Sequence, residues 1–249
     1  MLKAYLEKCD KEWFDDFVYT ARQPLVDRGF EIVPFNGMYL NEFIEKTSFN
    51  ENDVIVGSVE ATKAFWGEIG ITTPKYIGYP QCLKDFYGRE IKKTRINKIK
   101  VEDLPIFIKP ADDVKLFTGF VLEKTSTLRD INMYYPDVAP NTPVYKSEPI
   151  NIISEYRCFV HKGNLVGIKY YDGDFTKFPD VFTIQSMMQK FYNESPISYT
   201  LDVGLIRDGN GFKTILVEVN DFWAIGGYGL DGKTYVRMLV DRFQEIKNK

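Results

Sequence analysis

Residues 199–221 read YTLDVGLIRDGNGFKTILVEVND. Leu201, Val203 and Leu205 alternate with Asp202, Gly204 and Ile206, and Ile215, Val217 and Val219 alternate with Leu216, Glu218 and Asn220, so both arms carry the two-residue period of strands. Between them RDGNGFK supplies Asp-Gly and Asn-Gly, which tolerate the positive φ angles of a tight hairpin. A turn centred on Asn210 sets Asp202 opposite Glu218, with Asn220 two residues further along the same face. Two carboxylates opposed on a largely apolar surface repel each other and lose hydration, so something positive must lie between them, or one must hold a proton.

A second hairpin, SEYRCFVHKGNLVGIKYY over 154–171, is its mirror in charge. A turn around Gly163 pairs Val160 with Val166 and Arg157 with Lys169, and two opposed cations call for an anion, most often phosphate. Taken alone, the two charged pairs could equally form a structural ion network with each other. In PIFIKPADDVKLFTG, residues 105–119, Lys109 closes an apolar strand and Lys115 lies in a loop ending at Thr118-Gly119. A strand-anchored lysine beside such a loop suits a chain of phosphates, although Lys109 by itself also reads as an ammonium snorkelling from a sheet edge. Two strand-borne lysines and a strand-borne arginine, with two carboxylates and an amide, fit a nucleoside triphosphate and its magnesium.

The rest of the chain bounds this reading. Its 249 residues suffice for one large domain or two to three small ones, and 44% hydrophobic with 15% aromatic residues is a globular composition. A net charge of -3 argues against bulk nucleic-acid binding. No apolar run approaches the roughly 20 residues of a membrane helix, and MLKAYLEKCDKEW does not read as a signal peptide, so a cytoplasmic protein is expected. Cys9, Cys82 and Cys158 read as reduced thiols, His161 in HKGN as a solvated turn residue, and no GxxxxGK[ST] phosphate loop occurs.

Up to about residue 85 strands and helices alternate, which suggests a small parallel α/β layer, with Trp13, Phe14, Phe17, Val18 and Ala21 on one helical face. YGREIKKTRINKIKVEDL, 87–104, reads as a charged, solvated link. From 105 onward hairpins are interrupted by helices over 179–194 and 231–247, an α+β pattern with antiparallel sheets. The expected division is 1–85 and 86–249.

The order of Lys109 in FIKP, then SEPI, EYR, Lys169, Asp202 and Glu218-Val-Asn220 resembles the ATP-grasp superfamily, in particular a small clade found in phages and bacteria. The resemblance covers most of the chain and implies a small N-terminal α/β pre-ATP-grasp domain before a two-subdomain ATP-grasp fold, hinged near 147–151. It implies ATP and magnesium as cofactors. Lys109 would contact the nearer phosphates, Lys115 would belong to the closing loop, and Arg89 would stand where many members place an upstream lysine. Glu148, Pro149 and Ile150 would receive adenine, and Glu155 would reach the ribose or a metal-bound group. Arg157 and Lys169 would hold the γ-phosphate and the acyl phosphate made from it, and Asp202, Glu218 and Asn220 would bind magnesium. The glycines of 226–231 would admit a carboxylate substrate, and YYDGDFTKF, 170–178, would line its pocket. The implied activity is a carboxylate–amine ligase acting on small-molecule or peptide substrates. The alternatives are a nucleotide-binding regulatory module of the same fold and, through KYYDGD, a covalent nucleotidyltransferase.

Overall fold

The computed structural model describes residues 1–112, 116–123, 135–136 and 138–248. These residues form three sheets of four strands each. The first is built on β1 (Lys3–Cys9), which pairs in parallel with β3 (Glu31–Asn36) and β4 (Val54–Val56) and, at its C-terminal end, antiparallel with the short β2 (Glu12–Trp13). Helix α1 (Asp16–Asp27) connects β2 to β3, α2 (Leu40–Lys46) connects β3 to β4, and α3 (Val59–Glu68) follows β4. α1 begins later than the apolar pattern predicts because the Asp15 side chain accepts from Phe17 N and stops the helix there. Trp13 therefore lies in β2, and Phe14 precedes the helix.

The second sheet is β5 (Ile91–Arg95), β8 (Pro143–Ser147), β6 (Ile106–Pro110) and β7 (Phe120–Leu122) in that spatial order, all antiparallel. β5 corrects the reading of 87–104 as a solvated link. Its lysines and arginine are exposed, as suits an edge strand, where charge discourages pairing with another chain.

The third sheet runs β10 (Asn164–Gly173), β9 (Ser154–His161), β11 (Ser198–Asp208), β12 (Gly211–Asp221), again antiparallel. One face of it, with Cys158, Val160, Leu201 and Val203, packs under α4 (Val181–Phe191), which contributes Ile184, Met187 and Phe191. The C-terminal helix α5 (Gly232–Lys247) buries Tyr235, Val236, Leu239 and Phe243 in one core with the first sheet, so the N-terminal layer is fixed against the end of the chain. Residues 148–153 carry the chain from the second sheet into the third.

His161 is buried rather than solvated: its Nδ1 lies 2.9 Å from Ser198 Oγ and its Nε2 3.3 Å from Asp241, and burial lowers its pKa. The three cysteines are free thiols.

Candidate active site

Lys169 pairs with Arg157, Arg157 with Asp202, and Asp202 with Glu218. One rung crossing β10, β9, β11 and β12 thus presents cation, cation, carboxylate, carboxylate on a single face. Both hairpins reach this register by a different path from the simple one. The first closes at Lys162–Gly163, with φ of 51° and 72°, so Val160 meets Leu165 rather than Val166. A bulge at Val166 then restores Arg157 to Lys169. The second closes between Asp208 and Gly211, and a bulge at Val217 brings Asp202 back opposite Glu218.

Each carboxylate has its own cation. Arg157 donates from Nε to Asp202 Oδ1 at 2.8 Å and from Nη2 to Oδ2 at 2.6 Å, a bidentate fork at a site where Asp202 is 1% exposed. Burial pushes the Asp202 carboxyl upward against the pull of Arg157, with Glu218 adding to the rise. Glu218 is held from the second sheet: Lys109, at the end of β6, ion-pairs with its Oε2, to which Tyr76 OH also donates at 2.7 Å. Burial alone would raise the Glu218 carboxyl, but Lys109, Tyr76 and Asn220 bring it down to about 2. Burial likewise works against the Lys109 ammonium, and Glu218 with Tyr79 reverses this so that its pKa ends above the ordinary value. The opposed carboxylates are therefore each answered by a cation of the protein itself.

Aromatic rings line the charges. Lys109 Nζ sits 5.4 Å from the Tyr76 ring and 5.3 Å from the Tyr79 ring, and Arg89 reaches the same cluster, donating to Tyr87 O at 3.0 Å with its guanidinium 6.0 Å from Tyr79. On the other side the Arg157 guanidinium lies 4.6 Å from the Tyr228 ring and 5.9 Å from Tyr171, whose OH donates to Glu155 Oε2 at 2.7 Å. Burial raises the Glu155 carboxyl.

Of the expected residues, Arg157, Asp202, Glu218, Asn220 and Lys109 come together, with Glu155 two positions before Arg157 on the same face and Lys169 half-buried beside it. Glu148, Pro149 and Ile150 lie in the connection between the sheets. Lys115 falls outside the described residues. In the run 170–178 only Tyr171 touches Arg157; Tyr170 and Phe178 pack on Tyr156, on the opposite face of β9. Tyr76 and Tyr79 are neighbours of Lys109 that no motif marks. They stand in KYIGYP, 75–80, at the expected domain boundary, and Gly78 between them bridges to Val219.

The donor set for magnesium is of the right kind: Asp202, Glu218 and Asn220 offer hard oxygens on adjacent strands, and the buried Thr200, paired across from Asn220, has a hydroxyl without a hydrogen-bond partner among the described residues. No group of three acidic, histidine or cysteine ligands forms among the described residues, so a metal would share oxygens already held by Arg157 and Lys109.

Two antiparallel sheets joined by one short segment, with lysine, arginine and carboxylates gathered between them, define a nucleotide-grasping fold. Residues 86–238 match the model of an ATP-grasp domain, the second family of its clade, and the chain belongs to that family of ATP-binding domains. Among solved structures, the fold is similar to D-alanine–D-alanine ligase from Bacillus anthracis, at TM-score 0.59 and 12% identity over 99% of this chain and 98% of that one. It is similar to D-cycloserine synthetase, at TM-score 0.59 and 10% identity over 96% and 99%, and to a RimK domain ATP-grasp protein from Sphaerobacter thermophilus, at 0.54 and 14% over 95% and 99%. At these identities the likeness is one of fold. No curated protein matches the sequence. Among the described residues no helix is long and apolar enough to cross a membrane.

Proposed function

We propose that this protein is an ATP-dependent carboxylate–amine ligase working through an acyl phosphate. The observation that carries the reading is the rung Lys169–Arg157–Asp202–Glu218, met from the second sheet by Lys109. In this reading Lys109 exchanges Glu218 for the nearer phosphates of ATP, and Arg157 and Lys169 hold the γ-phosphate. Arg89 supports the Tyr79 side of the cleft, Lys115 closes over the phosphates, adenine rests on 148–150 and Glu155 on the ribose. Asp202, Glu218 and Asn220 would hold magnesium, which when bound offsets charge on the phosphate oxygens.

A carboxylate oxygen of the substrate attacks the γ-phosphorus, the bond to the β-phosphate oxygen breaks, and ADP leaves. An amine nitrogen then attacks the acyl carbon, the bond from carbon to the phosphate oxygen breaks, and the nitrogen gives up a proton as phosphate departs. The chain supplies position and charge rather than a covalent nucleophile. This suits a site in which Lys109 and Arg157 are fixed by buried carboxylates and Lys169 by its strand.

The test is ATP turnover with magnesium against pooled amino acids, small carboxylates and amines, with ADP, AMP and phosphate resolved. Substrate-dependent ADP and phosphate support the ligase. AMP, or a lysine–AMP adduct at Lys169, would move the assignment to nucleotidyl transfer, and tight ATP binding without products would make it a regulatory module.

A further inference from the structure

A cavity of about 390 Å³ lies between the N-terminal layer and the loop after β12. That volume falls within the roughly 300–1,000 Å³ typical of small-ligand sites. On one side are Phe14, Asp15 and Asp16 at the start of α1 and Ser58 at the start of α3; on the other are Ala224 and Tyr228. Tyr228 ties the cavity to the charged rung, because it lines the cavity and its ring lies 4.6 Å from the Arg157 guanidinium. It is held there by a left-handed backbone, φ 45°, between Gly227 and Gly229.

The charge of the cavity is one-sided. Asp15 and Asp16 line it, and the buried Glu7 carboxylate sits behind the floor, accepting from Ser58 N. The space for Glu7 exists because residues 37 and 57 are glycines, whose added Cβ atoms would stand 2.2 and 2.4 Å from its oxygens. Among the described residues no lysine, arginine or histidine lines the cavity. A carboxylate entering it meets like charge, whereas an ammonium meets opposite charge beside the aromatic residues Phe14 and Tyr228.

We propose that this cavity is the acceptor subsite, and that it takes a cationic amine lacking a free carboxylate, with an ammonium seated by Asp15 and Asp16 and the chain directed past Tyr228 toward Arg157. The assignment rests on the ligase reading for its role, but the cation preference stands on the cavity itself. A free α-amino acid is disfavoured because no cationic side chain of the lining pairs with its carboxylate, while Asp15 and Asp16 repel it. A diamine or a lysine-type side chain is favoured.

The experiment is calorimetric binding of 1,5-diaminopentane and, as a dianion of similar length, glutarate, to the full chain without ATP. The wild-type chain should bind the diamine and not glutarate. Asp15→Asn with Asp16→Asn keeps a capping side chain at α1 and should weaken the diamine at least fivefold. Ala224→Leu, which fills the cavity without touching the acids, should weaken it comparably, and ATP binding by each variant reports that the fold survives. Absence of diamine binding, preference for glutarate, or diamine affinity within twofold of wild type in both variants overturns the proposal. Diamine binding through Asp15 and Asp16 in a protein that turns over no ATP would keep the cation pocket and remove the ligase reading instead.

Discussion

Arg157 and Asp202 face each other across β9 and β11 and are joined by two hydrogen bonds of 2.8 and 2.6 Å in a nearly dry position. On repulsion alone, removing both carboxylates with Asp202→Asn and Glu218→Gln should leave the metal-free fold as stable as before or slightly more so. The pairing reverses that expectation, because the double variant strands two buried cations. Losing one partner of a buried pair costs about 3 to 5 kcal/mol. The double variant should unfold at clearly lower urea concentration than wild type, and its midpoint measures the loss.

Lys109 and Glu218 form the contact that links the second sheet to the third, so their coupling reports on the cleft itself. Glu218→Gln and Lys109→Met should each destabilise, whereas the double variant should recover most of the loss, giving a coupling of about 1 to 3 kcal/mol in a double-mutant cycle. Equal, additive losses would show that the pair does not act as one. ATP affinity should fall in every variant that lacks Lys109.

Acid should act on the same pair in a defined direction. The Glu218 carboxyl is depressed to about 2 by Lys109 and Tyr76 against its burial, so its contribution is fully present above its ordinary value near 4.5 and is lost as pH falls toward 2. Below about pH 4.5 the stability gap between wild type and Glu218→Gln should therefore narrow, read from urea unfolding at pH 7, 5, 4 and 3. A gap that stays constant from pH 7 to pH 3 would mean that the Glu218 carboxyl titrates alike in the folded and unfolded chain and is not depressed by the fold.

The charged rung is legible in the sequence, and the reason is physical. Alternation fixes which face a side chain takes, and burial of Leu201, Val203 and Cys158 leaves no freedom to slip by one residue. The turns are less legible: both hairpins close one residue tighter than their turn residues suggest, and the bulges at Val166 and Val217 make up the difference. A bulge has no strong sequence mark, so simple alternation gives Val160 the wrong partner and Arg157 the right one. The tyrosines are not legible at all. Tyr76, Tyr79 and Tyr228 sit in irregular segments, where no periodicity says which way a ring points, and they reach the site only through tertiary contacts. β5 is hidden for the opposite reason, since an edge strand carries the charges that also mark a loop.

Gly173 offers a test of where adenine lies. It ends β10 at φ 89°, and a Cβ there would stand 2.2 Å from the carbonyl oxygen of Ile153, in the segment that joins the two sheets. Gly209, at the tip of the β11–β12 hairpin, has φ 55° and nothing within 4 Å of its Cβ position. Gly209→Ala should cost only the left-handed backbone term, about 1 to 2 kcal/mol, and leave ATP binding alone. Gly173→Ala adds a backbone clash that can be relieved only by shifting 148–153, so it should cost more stability and also weaken ATP. If it destabilises the protein but ATP affinity, measured well below the melting temperature, stays at the wild-type value, then the connection between the sheets does not carry the base.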